Sequence, residues 1–141
     1  MERARVASLM SPFPYHVDAA QDLWTARALM EQHGIRHLPV LLDGNLAGIV
    51  THRDVQVAIA VAGEGASEVR IPVWSVCERD AYVVDLETEV AEVAETMANR
   101  QIGSAIVTKH GKLAGIITTV DVCRAYAKLV RVPRAPRDDV A

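Results

Sequence analysis

Leu46-Ala47-Gly48-Ile49-Val50-Thr51-His52-Arg53-Asp54-Val55 returns later in the chain as Leu113-Ala114-Gly115-Ile116-Ile117-Thr118-Thr119-Val120-Asp121-Val122. The offset is 67 residues, from Asp54 to Asp121, and it holds without a gap back to Tyr15 and Tyr82. Self-similarity at a fixed spacing marks an architecture built from like units. Each apolar run ends in Thr, two variable residues and Asp. The chain therefore reads as two copies of a unit that presents one Thr and one Asp.

The chain has 141 residues, enough for one ordinary domain or for two half-size units that share a core. Half of them are hydrophobic and 23% are charged, a globular composition. The net charge of −3 argues against a general nucleic-acid binder, which would carry a basic face. Arg131, Arg134 and Arg137 give only the C-terminus a basic flavour. No apolar run approaches the ~20 residues that span a bilayer. Met1 to Arg5 is followed by no long apolar segment, so no secretory signal is visible. Cys77 and Cys123 sit in no ligand or redox spacing and read as thiols of a reducing cytosol.

The order of elements follows from periodicity and punctuation. Pro12 and Pro14 keep residues 10–14 extended or turning. Tyr15-His16-Val17 is a short strand. Leu23, Ala26, Leu29 and Met30 form one apolar face of a helix over 19–33, with Asp18 as N-cap and Gly34 as its stop. Leu38 to Leu42 is a buried strand with Pro39 at its start. Asp43-Gly44 is a hairpin turn before the strand Leu46 to Val50. Asp54 to Ala62 is a helix by the spacing of Val55, Ala58, Ile59 and Ala62. Gly63-Glu64-Gly65-Ala66-Ser67 is a linker, and a short helical turn follows Pro72.

The pattern then restarts. Tyr82-Val83-Val84 is a strand, Thr88 to Asn99 a helix, Ala105 to Thr108 a strand, His110-Gly111-Lys112 a turn, Leu113 to Ile117 a strand and Thr119 to Val130 a helix. The expected divisions are unit one over 6–62, a linker over 63–71, unit two over 72–131 and a disordered tail over 132–141. Half a core per unit is too little to stand alone, so the two sheets are expected to pack together about an internal pseudo-two-fold axis. The fold class is α+β.

Thr51 and Asp54, with Thr118 and Asp121, carry the candidate chemistry. A Thr hydroxyl at a strand end donates or accepts, and a carboxylate accepts from two donors at once, as a ribose diol offers. The helix N-terminus behind the Thr favours a phosphate. An equally physical reading makes the Thr an N-cap and the Asp a first-turn acid that suits the helix dipole. Basic residues fall unequally. Arg36, His37, His52 and Arg53 surround the first copy, where the second has Gly103, Ser104, Thr119 and Val120. Such a cluster suits a nucleotide phosphate, or is simply a solvated charged surface. His16, His33, His37, His52 and His110 form no ligand spacing, and no nucleophile–base motif is present, so no metal and no enzymatic activity are expected.

Taken together, these residues resemble a tandem pair of cystathionine-β-synthase (CBS) domains, a Bateman module, over residues 6–128. In unit one the resemblance rests on Leu9-Met10, His33-Gly34-Ile35, Leu38-Pro39-Val40, Gly44, Leu46 to Val50 and Thr51-His52-Arg53-Asp54. In unit two it rests on Met97, Arg100-Gln101-Ile102, Ala105-Ile106-Val107, Gly111, Leu113 to Ile117 and Thr118-Thr119-Val120-Asp121. It implies two β-α-β-β-α units packed sheet to sheet, with clefts between them for an adenosine ligand such as AMP, ADP, ATP or S-adenosylmethionine.

By motif, Asp54 and Asp121 would hold ribose diols, and Thr51 and Thr118 would meet phosphate or ribose. The segments Tyr15-His16-Val17 and Tyr82-Val83-Val84 would lie against adenine. So would the backbone around Leu38-Pro39 and Ala105-Ile106, with Ser104 beside it. Arg36 and His37 would meet phosphate, reinforced by His52 and Arg53. Ile106 departs from the Pro the family prefers there, and no basic residue precedes it. The Thr51–Asp54 site is thus expected to be the one with cationic help. The implied module is cytoplasmic and regulatory. It requires no cofactor, and its regulatory ligand is an adenine nucleotide or S-adenosylmethionine. It would form a homodimer and act on itself or on an unknown protein effector, with no nucleic-acid or membrane partner. A ligand-free interaction scaffold is the alternative.

Overall fold

The computed structural model describes residues 3–63 and 70–131. Most of the expected linker and the expected disordered tail lie outside the described residues. In chain order the elements are β1 (Ser11–Pro12), β2 (Val17–Asp18), α1 (Leu23–His33), β3 (His37–Leu42), β4 (Asn45–Thr51), α2 (His52–Ala62), β5 (Val83–Asp85), α3 (Val90–Arg100), β6 (Ser104–Lys109), β7 (Lys112–Thr118) and α4 (Thr119–Val130). Short 3-10 turns at Val6–Ser8 and Val73–Ser75 precede each half.

Each half is a hairpin flanked by two helices. β3 and β4 turn at Asp43-Gly44, with φ 50° and 78°, and β6 and β7 turn at His110-Gly111, with φ 51° and 76°. Two consecutive positive φ angles match the right-handed twist of the flanking strands, which is why Gly holds the second place in both turns. Both hairpins carry a register shift, at Val40/Leu41 and at Val107/Thr108. β2 joins β3 in parallel, and β5 joins β6 in parallel.

Pro39 stands third in β3, opposite Ile49, rather than at the strand start. At the matching place in the second half, the Ile106 N–H donates to the Tyr82 carbonyl at 2.9 Å. Pro39 has no N–H to give. β2 accordingly begins at Val17, whereas β5 runs for three residues.

The halves are interlaced. β1 precedes the first half in sequence but pairs with β7 of the second, Ser11 opposite Ile116 and Pro12 opposite Gly115. Reciprocally, Glu78 bridges to Ile49 of β4. Val6 is fully buried in the core of the second half, with Val93, Met97, Ala105, Val107 and Ile117. Val73 is fully buried in the core of the first, with Leu23, Met30, Leu38, Val50 and Val55. A third cluster of Ile49, Ile106 and Ile116 joins the two sheets.

This exchange also sets where α1 and α3 begin. The backbone over 19–23 is bonded to the exchanged segment: Leu23 N–H donates to Ile71 O at 3.0 Å, Val73 N–H to Gln21 O at 2.7 Å and Trp74 N–H to Ala19 O at 3.1 Å. α1 therefore starts at Leu23, not near residue 19. Asp22 is its N-cap, accepting from the Thr25 N–H at 2.9 Å. Asp18 closes the preceding turn instead, accepting from the Ala20 N–H at 2.9 Å. α3 is held off Thr88 in the same way, by Val6 N–H to Thr88 O and Val90 N–H to Ala4 O, both at 2.9 Å.

Gly48 and Gly115 mark the crossings. A Cβ on Gly48 would fall onto the Glu78 carbonyl oxygen, and one on Gly115 onto Met10 Sδ and the Ser11 carbonyl oxygen. Glycine inside a strand here permits a second backbone to approach.

Candidate functional site

Each repeated Thr-x-x-Asp closes a helix N-terminus. Thr51 Oγ1 accepts from the Asp54 N–H at 3.1 Å, and Asp54 Oδ2 accepts from the Thr51 N–H at 3.3 Å. At α4, Asp121 Oδ2 accepts from the Thr118 N–H at 2.8 Å and from the Thr118 hydroxyl at 3.2 Å. Both arrangements satisfy donors that a helix start leaves open, reciprocally at Thr51 and Asp54. Only one carboxylate oxygen is engaged in each case. Among the described residues no hydrogen bond reaches Oδ1 of either Asp. Capping and ligand binding are thus compatible, because a carboxylate has a second oxygen to offer.

The two boxes open into two clefts between the halves. One, of about 580 Å3, sets Thr118 and Asp121 opposite Pro12 to Tyr15 and Gly34 to His37, with Arg124 at its edge. The other, of about 370 Å3, sets Thr51 and Asp54 opposite Glu78, Asp80 to Tyr82 and Arg100 to Ser104. Both volumes fall in the range of small-molecule sites, ~300–1,000 Å3. The linings match at the repeat offset. Tyr15 corresponds to Tyr82, and the loop ahead of β3 to the loop ahead of β6. Each loop is tied to its own helix start, Arg36 O accepting from His52 N–H at 2.8 Å and Gly103 O from Thr119 N–H at 3.1 Å.

Aromatic rings back both clefts. Tyr15 stacks on His33 with ring centres 3.7 Å apart. Its counterpart Tyr82 lies under the Arg100 guanidinium, 5.5 Å from the ring centre. His37 lines both clefts. Its ring lies against Gly103, where a Cβ would sit 3.2 Å from Nε2. Burial pushes its pKa down and the Arg36 guanidinium pushes it further, against the opposing pull of Asp54. Among the described residues no group of three or more His, Cys, Asp or Glu is placed to hold a metal ion.

The family model of the CBS domain matches the chain twice, over residues 6–61 and 73–128. The chain belongs to the CBS-domain family. The inosine-5′-monophosphate dehydrogenase of Korarchaeum cryptofilum is 37% identical over 98 residues, which cover 69% of this chain and 19% of the dehydrogenase. The chain spans less than half the length of the curated relatives it first matches. Among solved structures, the CBS domain pair of protein MJ0100, in complex with 5′-methylthioadenosine and S-adenosyl-L-methionine, superposes with a TM-score of 0.80 at 22% identity, covering 91% of this chain and 99% of that one. CBSX2 in complex with AMP superposes with a TM-score of 0.76 at 23% identity, covering 90% and 98%. These likenesses establish the paired fold. No helix is long and apolar enough to cross a membrane among the described residues.

The CBS pair distributes the expected site residues differently from their order in sequence. Thr51, Asp54, His37 and Ser104 share one cleft, and Thr118, Asp121, Arg36 and His37 share the other. The expected grouping of Arg36 with Asp54 is thereby corrected. The loop before β3 stays bonded to the start of its own α2 but lines the cleft that holds Thr118 and Asp121, so Arg36 faces the second copy's cleft. His52 and Arg53 line neither cleft. The His52 ring is 4.0 Å from Glu31 of α1, and Arg53 is exposed on the first turn of α2.

Tyr15 and Tyr82 occupy the clefts, while their neighbours His16 and Val83 do not. His16 borders a separate cavity of about 740 Å3 with Asp18, Asp22 and Arg70. Leu38, Pro39, Ala105 and Ile106 are buried behind the clefts and line neither. Arg124, Phe13, Glu78 and Asp80 were not singled out from sequence. Their counterparts at the repeat offset, Val57, Asp80, Ser11 and Phe13, differ in character, so comparing the copies residue by residue would have flagged them.

Proposed function

We propose that this CBS pair is a regulatory module that binds adenosine ligands and passes their occupancy to a dimer or partner interface. The observation that carries the reading is the pair of boxed carboxylates, Asp54 and Asp121. Each has one oxygen outside the hydrogen bonds of the described residues and lines a cleft that also holds a tyrosine. A carboxylate facing a vicinal diol and a ring facing a base are what a nucleoside requires. The ligands of the related pairs, AMP, 5′-methylthioadenosine and S-adenosylmethionine, are all adenosine compounds, and this supports the same class here.

In this reading Asp54 and Asp121 accept from ribose hydroxyls, and Thr51 and Thr118 hold the helix N-termini that face the ligand. The module has no chemistry of its own to perform and requires no cofactor. Signalling would run through α2 and α4, which leave Val57, Val61, Tyr126 and Leu129 exposed. Those residues suit a second copy or an effector protein, in the reducing cytosol that the thiols of Cys77 and Cys123 suggest.

A ligand-free interaction scaffold is the rival, favoured by the fact that both carboxylates already serve as helix caps. Thermal-shift titration with AMP, ATP, adenosine and S-adenosylmethionine separates the two. A ligand at 100 times its dissociation constant adds ~2.7 kcal/mol to stability. Asp54→Ala and Asp121→Ala should each weaken binding at their own cleft by ~1.5–3 kcal/mol. No shift with any adenine compound at millimolar concentration would establish the scaffold.

A further inference from the structure

We propose that the two clefts take different classes of adenosine ligand: the Asp121 cleft a 5′-phosphorylated nucleoside, and the Asp54 cleft a nucleoside whose 5′ substituent is neutral or cationic. The assignment rests on the adenosine reading above and goes beyond it, because it follows from how the two linings diverge on one repeated scaffold. The Asp121 cleft sets two guanidinium groups, Arg36 and Arg124, against one carboxylate. The Asp54 cleft sets three carboxylates, Asp54, Glu78 and Asp80, against the single guanidinium of Arg100.

The differences fall at equivalent positions. At the repeat offset Arg36 is replaced by Gly103, Arg124 by Val57, Ser11 by Glu78 and Phe13 by Asp80. All four changes move the charge in the same direction, toward an anionic first cleft or a cationic second one. Arg100 is moreover drawn over the Tyr82 ring. Burial and then Arg36 push the pKa of His37, which lines both clefts, down against the pull of Asp54, and so disfavour a further cation there.

Shape runs with charge. The Asp121 cleft is the larger, about 580 against 370 Å3. Phe13, 96% exposed, adds an apolar wall where the other cleft has Asp80. Thr119 and Val120 at the start of α4 line the Asp121 cleft, whereas their counterparts His52 and Arg53 line neither cleft. Phosphate oxygens in the Asp121 cleft meet guanidinium donors and a helix start. In the Asp54 cleft the same oxygens face Glu78 and Asp80, and like charges brought together disfavour binding.

Isothermal titration of the full chain with AMP and with 5′-methylthioadenosine tests the assignment. The probes share adenosine and differ at the 5′ substituent. Asp121→Asn keeps an acceptor for the cap and removes the charge, and should cost AMP about tenfold more affinity than it costs 5′-methylthioadenosine. Asp54→Asn should reverse that ratio. Arg124→Val, an exposed change that installs the counterpart residue, should weaken AMP and leave 5′-methylthioadenosine within twofold. Raising salt should weaken AMP selectively. Loss of both ligands with the same Asp, or the opposite pairing, overturns the sorting while leaving the adenosine reading intact. If neither probe binds the wild-type chain, the adenosine reading fails and the sorting falls with it.

Discussion

Arg36 belongs to the first repeat and Asp121 to the second, yet they line one cleft. The loop that carries Arg36 is bonded at its backbone to the start of α2, through Arg36 O and His52 N–H. Its side chain nonetheless serves the helix of the other half. Arg36→Ala should therefore weaken ATP or AMP by about tenfold, the scale of one charged hydrogen bond, and adenosine by much less. Equal losses for nucleotide and nucleoside would remove Arg36 from phosphate contact. The companion loss should appear in Asp121→Ala and not in Asp54→Ala, which a cation grouped with its own repeat would not give.

Gly48 and Gly115 occupy the same place in the two repeats but face different neighbours. A Cβ at Gly48 meets the Glu78 carbonyl, backbone of a residue whose C=O accepts from the Ile49 N–H and whose N–H donates to the Ile49 C=O. At Gly115 the first neighbour is the flexible end of Met10, with the Ser11 carbonyl oxygen 2.9 Å away. Replacing glycine with alanine gains ~0.4–1 kcal/mol from the unfolded chain, whereas overpacking costs ~1–3 kcal/mol. Both variants should lose stability, and Gly48→Ala should lose more. Urea denaturation measures the difference. A Gly48→Ala protein as stable as wild type would mean that the crossing of the two backbones is looser than its geometry.

The exchanged segments make a prediction about where damage appears. Val6 is fully buried among residues of the second half and Val73 among those of the first. Truncating either to alanine removes about 1.5–3 kcal/mol of burial. Hydrogen exchange should then show Val6→Ala loosening α3, β6 and β7, and Val73→Ala loosening α1 and β3. Loss confined to the half nearest in sequence would contradict the interlacing.

Local order was legible in the sequence where local chemistry decides it. Asp43-Gly44 and His110-Gly111 announced the hairpins, and the end of α1 at Gly34 followed from its positive φ. Thr119 to Val130 is a helix over the expected residues, because Thr118 and Asp121 supply its cap. What could not be read was the pairing of segments far apart in the chain. Residues 4–12 and 71–78 have no periodicity of their own, and their partners lie in the other repeat. One signal of that exchange was present, the glycine inside each Leu-Ala-Gly strand, since a strand glycine often marks a close backbone approach. Arg36 lines the cleft of the other repeat, a placement that sequence adjacency does not show. His52 and Arg53 are adjacent to Thr51 in sequence, but neither lines the cleft that holds Thr51.

His37 should make stability depend on pH, and the sign is fixed by its surroundings. Burial, reinforced by Arg36, holds its folded pKa below the ordinary 6.5. The unfolded chain therefore binds the proton first as pH falls, and stability rises with pH wherever the unfolded state holds more protons. The contribution of neutral His37 is fully present above about pH 6.5, the ordinary unfolded value, and is lost as pH falls from there through the folded pKa. His37→Gln removes the titration while keeping a polar side chain against Gly103. Melting temperatures measured from pH 7.5 to 5 should fall less steeply for His37→Gln than for wild type. Because the other histidines are common to both proteins, the difference in slope belongs to His37. Parallel curves would mean that Asp54, which pulls the pKa upward, offsets burial and Arg36 in full.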